Sequence, residues 1–143
     1  MARVVRTGPG IKQVIAQLDS LGGLRAEVGW FDTSRAYLAA IHEFGYAAGG
    51  IPARPFMRPA IANYGPSWVD AIGQGATQVV LGNTTAAGVL EMVAARAAGD
   101  VAKSIKAVTS PPLKPATVAR KGFAKPLVAT GQLLQSVTYR IGT

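Results

Sequence analysis

Residues 41–59 read IHEFGYAAGGIPARPFMRP, and the character of the chain changes three times within them. The residues leading in, Ala36, Leu38, Ala39, Ala40 and Ile41, are apolar with helical composition and carry His42, Glu43 and Phe44 up to Gly45. A glycine directly after a last turn can take the left-handed conformation that ends a helix, so the helix is expected to stop at Gly45. Gly49 and Gly50 are expected to keep the following loop loose. Pro52, Pro55 and Pro59 then fix φ and bias Ile51, Arg54 and Arg58 towards extended geometry. The expectation is an extended, proline-rich arm over residues 45–59, flexible at its start and stiff at its end. It displays Arg54, Phe56, Met57 and Arg58, residue types enriched at protein interfaces.

On the N-terminal side, Ile11, Val14, Ile15, Leu18 and Leu21 recur at helical spacing after Pro9-Gly10 and run out at Gly22-Gly23, which predicts an amphipathic helix. Leu24, Ala26, Val28 and Trp30 alternate with Arg25, Glu27, Gly29 and Phe31, the period-two pattern of a strand with one covered face. Asp32, Thr33 or Ser34 can cap the helix that ends at Gly45, because their oxygens accept from its free N–H groups. On the C-terminal side, Pro66 and Ser67 suit a helix start, and Trp68, Ile72, Ala76 and Val79 follow on one face. Gly73 and Gly75 each weaken that helix by about 1 kcal/mol relative to alanine, so either a neighbour packs closely there or the helix breaks. Thr84 or Thr85 can cap the longest element, whose stripe is Val89, Val93, Ala97, Val101, Ile105 and Val108. It would be about 36 Å long over residues 85–108.

Ser110, Pro111 and Pro112 end that helix, and residues 109–126 form a basic, proline-punctuated loop with one helical turn over residues 115–120. Thr130-Gly131 precedes a small helix at Leu133-Leu134, and Val137, Tyr139 and Ile141 alternate as a last strand. The fold class expected is α+β: one domain over residues 1–143, with a small antiparallel sheet covered by two longer helices. Residues 24–31 pair with residues 138–141 in that sheet, with Val4-Val5 as a third member.

The 143 residues allow one modest core, and two Trp, four Tyr and four Phe make it thin in aromatics. With no cysteine there is neither a disulfide framework nor a thiolate site. The opening MARVVRTGPG lacks an apolar stretch behind its arginines, and no apolar run approaches a membrane span, so a soluble cytoplasmic product is expected. The net charge of +8 is unevenly placed: all seven acidic residues lie within the first hundred positions, whereas seven of the fifteen basic ones follow Asp100. That distribution points to an acidic partner for the C-terminal third.

Enzymatic readings find little to stand on. His42-Glu43 opens an H-E-x-x-H pattern, but position 46 is Tyr46, and with one histidine in the chain a zinc site would need clustered carboxylates. No serine sits in a G-x-S-x-G elbow, and Gly82-Asn83-Thr84-Thr85 lacks the lysine of a phosphate-binding loop. No catalytic, cofactor or metal site is expected, and Glu43 is expected to pair with Arg54 or Arg58 of a neighbouring subunit. Lys103, Lys106, Lys114, Arg120, Lys121 and Lys125 can either neutralise DNA phosphates or dock an acidic protein surface. The protein partner is favoured, because Phe123 alone could stack bases among them.

The runs AYLAAIHEFG, IPARPFMRP and PLVATGQLLQSVTY together resemble the neck or tail-completion proteins of long-tailed bacteriophages, over roughly residues 28–60 and 113–141. The resemblance implies a structural virion protein, not an enzyme, assembled in the host cytoplasm. It would form a ring, six-fold, joining the head connector to the tail and contacting neck, connector and tail-tube proteins, with genomic DNA passing through the lumen. In that setting Glu43, Phe44, Arg54, Phe56, Met57 and Arg58 would form the subunit contact. A small non-specific DNA-binding protein is the alternative.

Overall fold

The structure, a computed structural model, describes residue 8, residues 10–122 and residues 131–143. It is mainly helical with a two-stranded antiparallel sheet, which agrees with the α+β expectation. In chain order come α1 (Ile11–Gly22), β1 (Arg25–Gly29), α2 (Thr33–Phe44), a 3₁₀ turn (Ala47–Gly49), α3 (Met57–Val80), α4 (Ala86–Ala107), α5 (Pro115–Lys121), α6 (Gln132–Ser136) and β2 (Thr138–Gly142). The expected third strand at Val4-Val5 lies outside the described residues.

The sheet forms with the expected pairing, Ala26 opposite Ile141 and Val28 opposite Tyr139. Its polar face is held by Glu27, which sits opposite Arg140 and accepts from its Nε, with Arg25 Nε 3.5 Å away. Cross-strand pairs of opposite charge stabilise a sheet modestly. Both strands pack on α4, and α4 packs along α3.

The stripe read from the sequence is the core face of α4: Val89, Val93, Ala97, Val101 and Ile105 are all buried. Thr85 caps that helix, its Oγ1 accepting from the Gly88 N–H, as Asp32 caps α2 by accepting from the Arg35 N–H. Of the two glycines that weaken α3, Gly75 is where the neighbour comes close, since a Cβ there would fall on the Val89 methyl groups, whereas the space at Gly73 is open. The main cluster is Ala39, Phe56, Ala60, Val101, Ile105 and Leu133, with Trp30 edge-on to Phe56 at 5.6 Å between ring centroids. Trp30 Nε1 donates to Leu133 O at 3.1 Å and to Ser136 Oγ at 3.1 Å, fixing α6 against the end of β1.

Two expectations fail here. First, α3 begins at Met57, well before Pro66, so Met57, Arg58 and Pro59 are its first turn rather than the tip of an extended arm. Proline is tolerated in a first turn because the N–H it lacks would have no intrahelical partner. Pro66 lies inside the helix. Second, the loop after Gly45 is closed: Tyr46 and Ile51 exchange two backbone hydrogen bonds of 2.8 and 3.0 Å around the 3₁₀ turn. Gly45 does stop α2, at φ +81°, and a Cβ there would lie 2.9 Å from Ala53 N.

Candidate functional site

Glu43 is the hinge of the region, but as an internal cap. It is 5% exposed, and its Oε2 accepts from Phe56 N at 2.7 Å and Met57 N at 2.9 Å. Its Oε1 accepts from Arg58 N at 3.2 Å and Arg58 Nε at 2.8 Å. A carboxylate at this point satisfies the N–H groups that open α3 and lies at the positive end of its dipole. Burial works to raise its pKa, yet the bond from the Arg58 side chain and those from the backbone of Met57, Phe56 and Arg58 prevail, holding it below the usual glutamate range. The arginine expected from a neighbouring subunit is thus Arg58 of the same chain, whose Nη2 also donates to Glu43 O at 3.0 Å.

The expected contact set separates into two groups. Phe56 is 1% exposed in the core and Arg54 is 6% exposed, so neither side chain stands out from the body as an extended arm would require. Three prolines in sequence suggest an arm standing off the body, but the chain here folds back onto the core. Arg54 instead donates from Nε to Pro111 O at 2.8 Å and from Nη2 to Pro112 O at 3.1 Å, tying the chain before α3 to the basic loop. Phe44 is 71% exposed, with the Arg58 guanidinium 5.4 Å from its ring centroid. The Arg58 side chain is itself 61% exposed, and Met57 is half-buried. These three line an apolar groove of about 340 Å³ with Trp30, Phe31 and Ala40, between the end of β1, α2 and the start of α3. At its other rim Arg140 lies 4.4 Å from the Phe31 ring centroid. Trp30, Phe31 and Ala40 were not anticipated as site residues, although two adjacent aromatics at the end of a strand were the available signal.

The basic residues also part company. Lys103 Nζ is bound to Asp100 Oδ1 at 2.8 Å, and that bond raises its pKa. Asp100 is buried and also accepts from Trp68 Nε1 at 2.9 Å. Burial pushes its pKa up, but the Lys103 and Trp68 bonds outweigh that and lower it. Lys106 is exposed in the last turn of α4. Lys114 and Arg120 face a separate cleft of about 370 Å³, together with Arg54, His42 and Thr117. Lys125 and the side chain of Lys121 lie outside the described residues.

Among the described residues no group of His, Cys, Asp and Glu is arranged to hold a metal ion, and no helix is long and apolar enough to cross a membrane. Comparison with protein-family models, curated proteins and solved structures finds no match for this chain.

Proposed function

We propose that this chain is a structural subunit of a tailed-bacteriophage virion, a neck or tail-completion protein that assembles as a six-fold ring between head connector and tail. The observation that carries the reading is the apolar groove with Phe44 standing 71% exposed at its edge. Phe31 in the same groove is 40% exposed, and Tyr37, seven residues before Phe44 on α2, is 62% exposed. Contiguous exposed aromatics edged by arginine are the composition of a contact surface, and a second copy is the occupant a ring requires. Phe44, Met57 and Arg58 take the gripping role first assigned to the whole arm. The basic loop faces an adjoining protein of the particle, and the resemblance in residues 28–60 and 113–141 supplies the virion setting.

Light scattering after size exclusion, with negative-stain images, tests the reading. The parent is expected to form rings, and Phe44→Glu to give monomers with an unchanged circular dichroism spectrum. A parent that stays monomeric at every concentration overturns the ring. Steeply salt-dependent binding of that monomer to arbitrary duplex DNA would instead support the non-specific DNA-binding alternative.

A further inference from the structure

Arg54 presents an electrostatic problem that the fold leaves unsolved. A guanidinium has five N–H donors and stays charged at any ordinary pH. Here it is 6% exposed, and its described partners are two backbone carbonyls, Pro111 O and Pro112 O. No carboxylate pairs with it, although every Asp and Glu of the chain lies among the described residues. A buried charge without a counter-charge is costly, and carbonyl dipoles offset only part of that cost. Arg54 lines the 370 Å³ cleft between the Tyr46–Ile51 loop and the start of α5, whose lining includes Lys114 and Arg120 and contains no acidic residue.

We propose that this cleft is a carboxylate-binding site that takes an acidic peptide segment of a partner protein. One carboxylate reaches Arg54 in the cleft, and flanking ones meet Lys114 and Arg120 at its mouth. The guanidinium is preorganised for this. Its bonds to Pro111 and Pro112 fix its plane, and they set the chain that leads two residues later to Lys114, so little side-chain freedom is lost on docking. The remaining donors suit a forked, charge-assisted pair.

A nucleic acid is the weaker occupant on two counts. A duplex offers its phosphates along a convex ridge, whereas these cations converge on a pocket. Single strands are held by stacking on open aromatic faces, and the lining of this cleft contains no Phe, Tyr or Trp. The inference deepens the neck reading by giving the chemistry of the adjoining protein, and rests on it only for the idea that a second protein docks here.

The test is fluorescence anisotropy with a labelled oligoglutamate peptide, run beside a labelled single-stranded oligothymidylate of equal charge. The peptide is expected to bind the full chain, with Lys114→Glu and Arg120→Glu each weakening it about tenfold or more. Lys12→Glu on α1, which changes net charge equally, is expected to weaken it less than about twofold, the scale of a screened distant charge. In ¹⁵N spectra the Arg54 Nε–H resonance should shift on titration with the peptide. Equal losses in all three variants, an unmoved Arg54 resonance, or tighter binding of oligothymidylate through the same residues would each overturn the proposal. Light scattering on the same samples separates the two readings. A monomer that binds the peptide through Lys114 and Arg120 removes the ring and keeps the cleft, and a ring indifferent to the peptide does the reverse.

Discussion

Replacing Glu43 is expected to unseat the start of α3 rather than disturb a partner contact. In Glu43→Ala, three backbone N–H groups and one guanidinium N–H lose their acceptor. An N-cap contributes about 1 kcal/mol, and the buried Phe56 N–H, left without water or acceptor, costs a further 1–3 kcal/mol or so. Arg58 is mostly exposed and can turn to solvent, so its loss adds less than about 1 kcal/mol. The total is about 2–5 kcal/mol, a large part of the roughly 5–15 kcal/mol that keeps a domain folded, and lowers Tm by about 10 °C at this chain length. Glu43→Gln keeps the shape and one acceptor and should lose about 2 kcal/mol; Arg58→Ala should lose under about 1 kcal/mol. Urea titrations followed by tryptophan fluorescence measure all three. An Arg58→Ala loss equal to that of Glu43→Gln would mean that the ion pair, not the helix cap, carries the effect, and a Glu43→Gln midpoint equal to the parent's would refute the cap itself. Acid supplies a second check. The folded-state pKa of Glu43 lies below its unfolded value, so its contribution is present above about pH 4.3 and is lost as pH falls through the folded value. The parent curve should therefore drop more steeply in acid than that of Glu43→Gln.

Phe56→Ala should destabilise the fold by about 3–5 kcal/mol, since the ring is fully buried against Trp30; a folded variant with parent-like thermal melting would contradict its place in the core. Gly75→Ala should cost about 1–3 kcal/mol by pushing on Val89, while Gly73→Ala, with open space, should gain about 0.5–1 kcal/mol, so opposite signs in denaturant midpoints are the signature sought. Val93→Ala and Val101→Ala should each lose about 1–3 kcal/mol without altering which partner is bound, and unchanged urea midpoints would remove the α4 stripe from the core.

What the sequence made legible was what local rules determine. The α4 stripe, the Asp32 and Thr85 caps and the Gly45 stop each depend on residues within a turn of one another, and the alternation in residues 24–31 and 137–141 located the two strands. The start of α3 was hidden because its cap is a carboxylate 13 residues upstream, while the prolines beside it read equally well as an extended arm. Arg54 and Phe56 were misplaced for a related reason. Arginine and phenylalanine are common at interfaces, and only the Pro111 and Pro112 carbonyls, more than fifty residues further on, turn Arg54 inward. α1 shows the reverse case. Its apolar stripe was plain, yet Ile11, Ile15 and Leu18 are 81%, 53% and 50% exposed, because periodicity gives the face of a helix but not whether anything covers it.

The pairing of β1 with β2 also sets an order of events during synthesis. Glu27 and Arg140 meet across 113 residues of sequence, and Trp30 reaches its acceptors on α6 across more than a hundred. The α3–α4 pair, joined by five residues, can form as soon as it has been translated, whereas residues 25–29 must wait for residues 138–142 before their sheet exists. Distant pairings carry a loop-closure entropy that local ones avoid. Until then the face of α4 that packs on the sheet remains wet. A nascent chain stalled before residue 138 should therefore present a helical hairpin with an open apolar flank, the state in which a chaperone or a second nascent copy would find it.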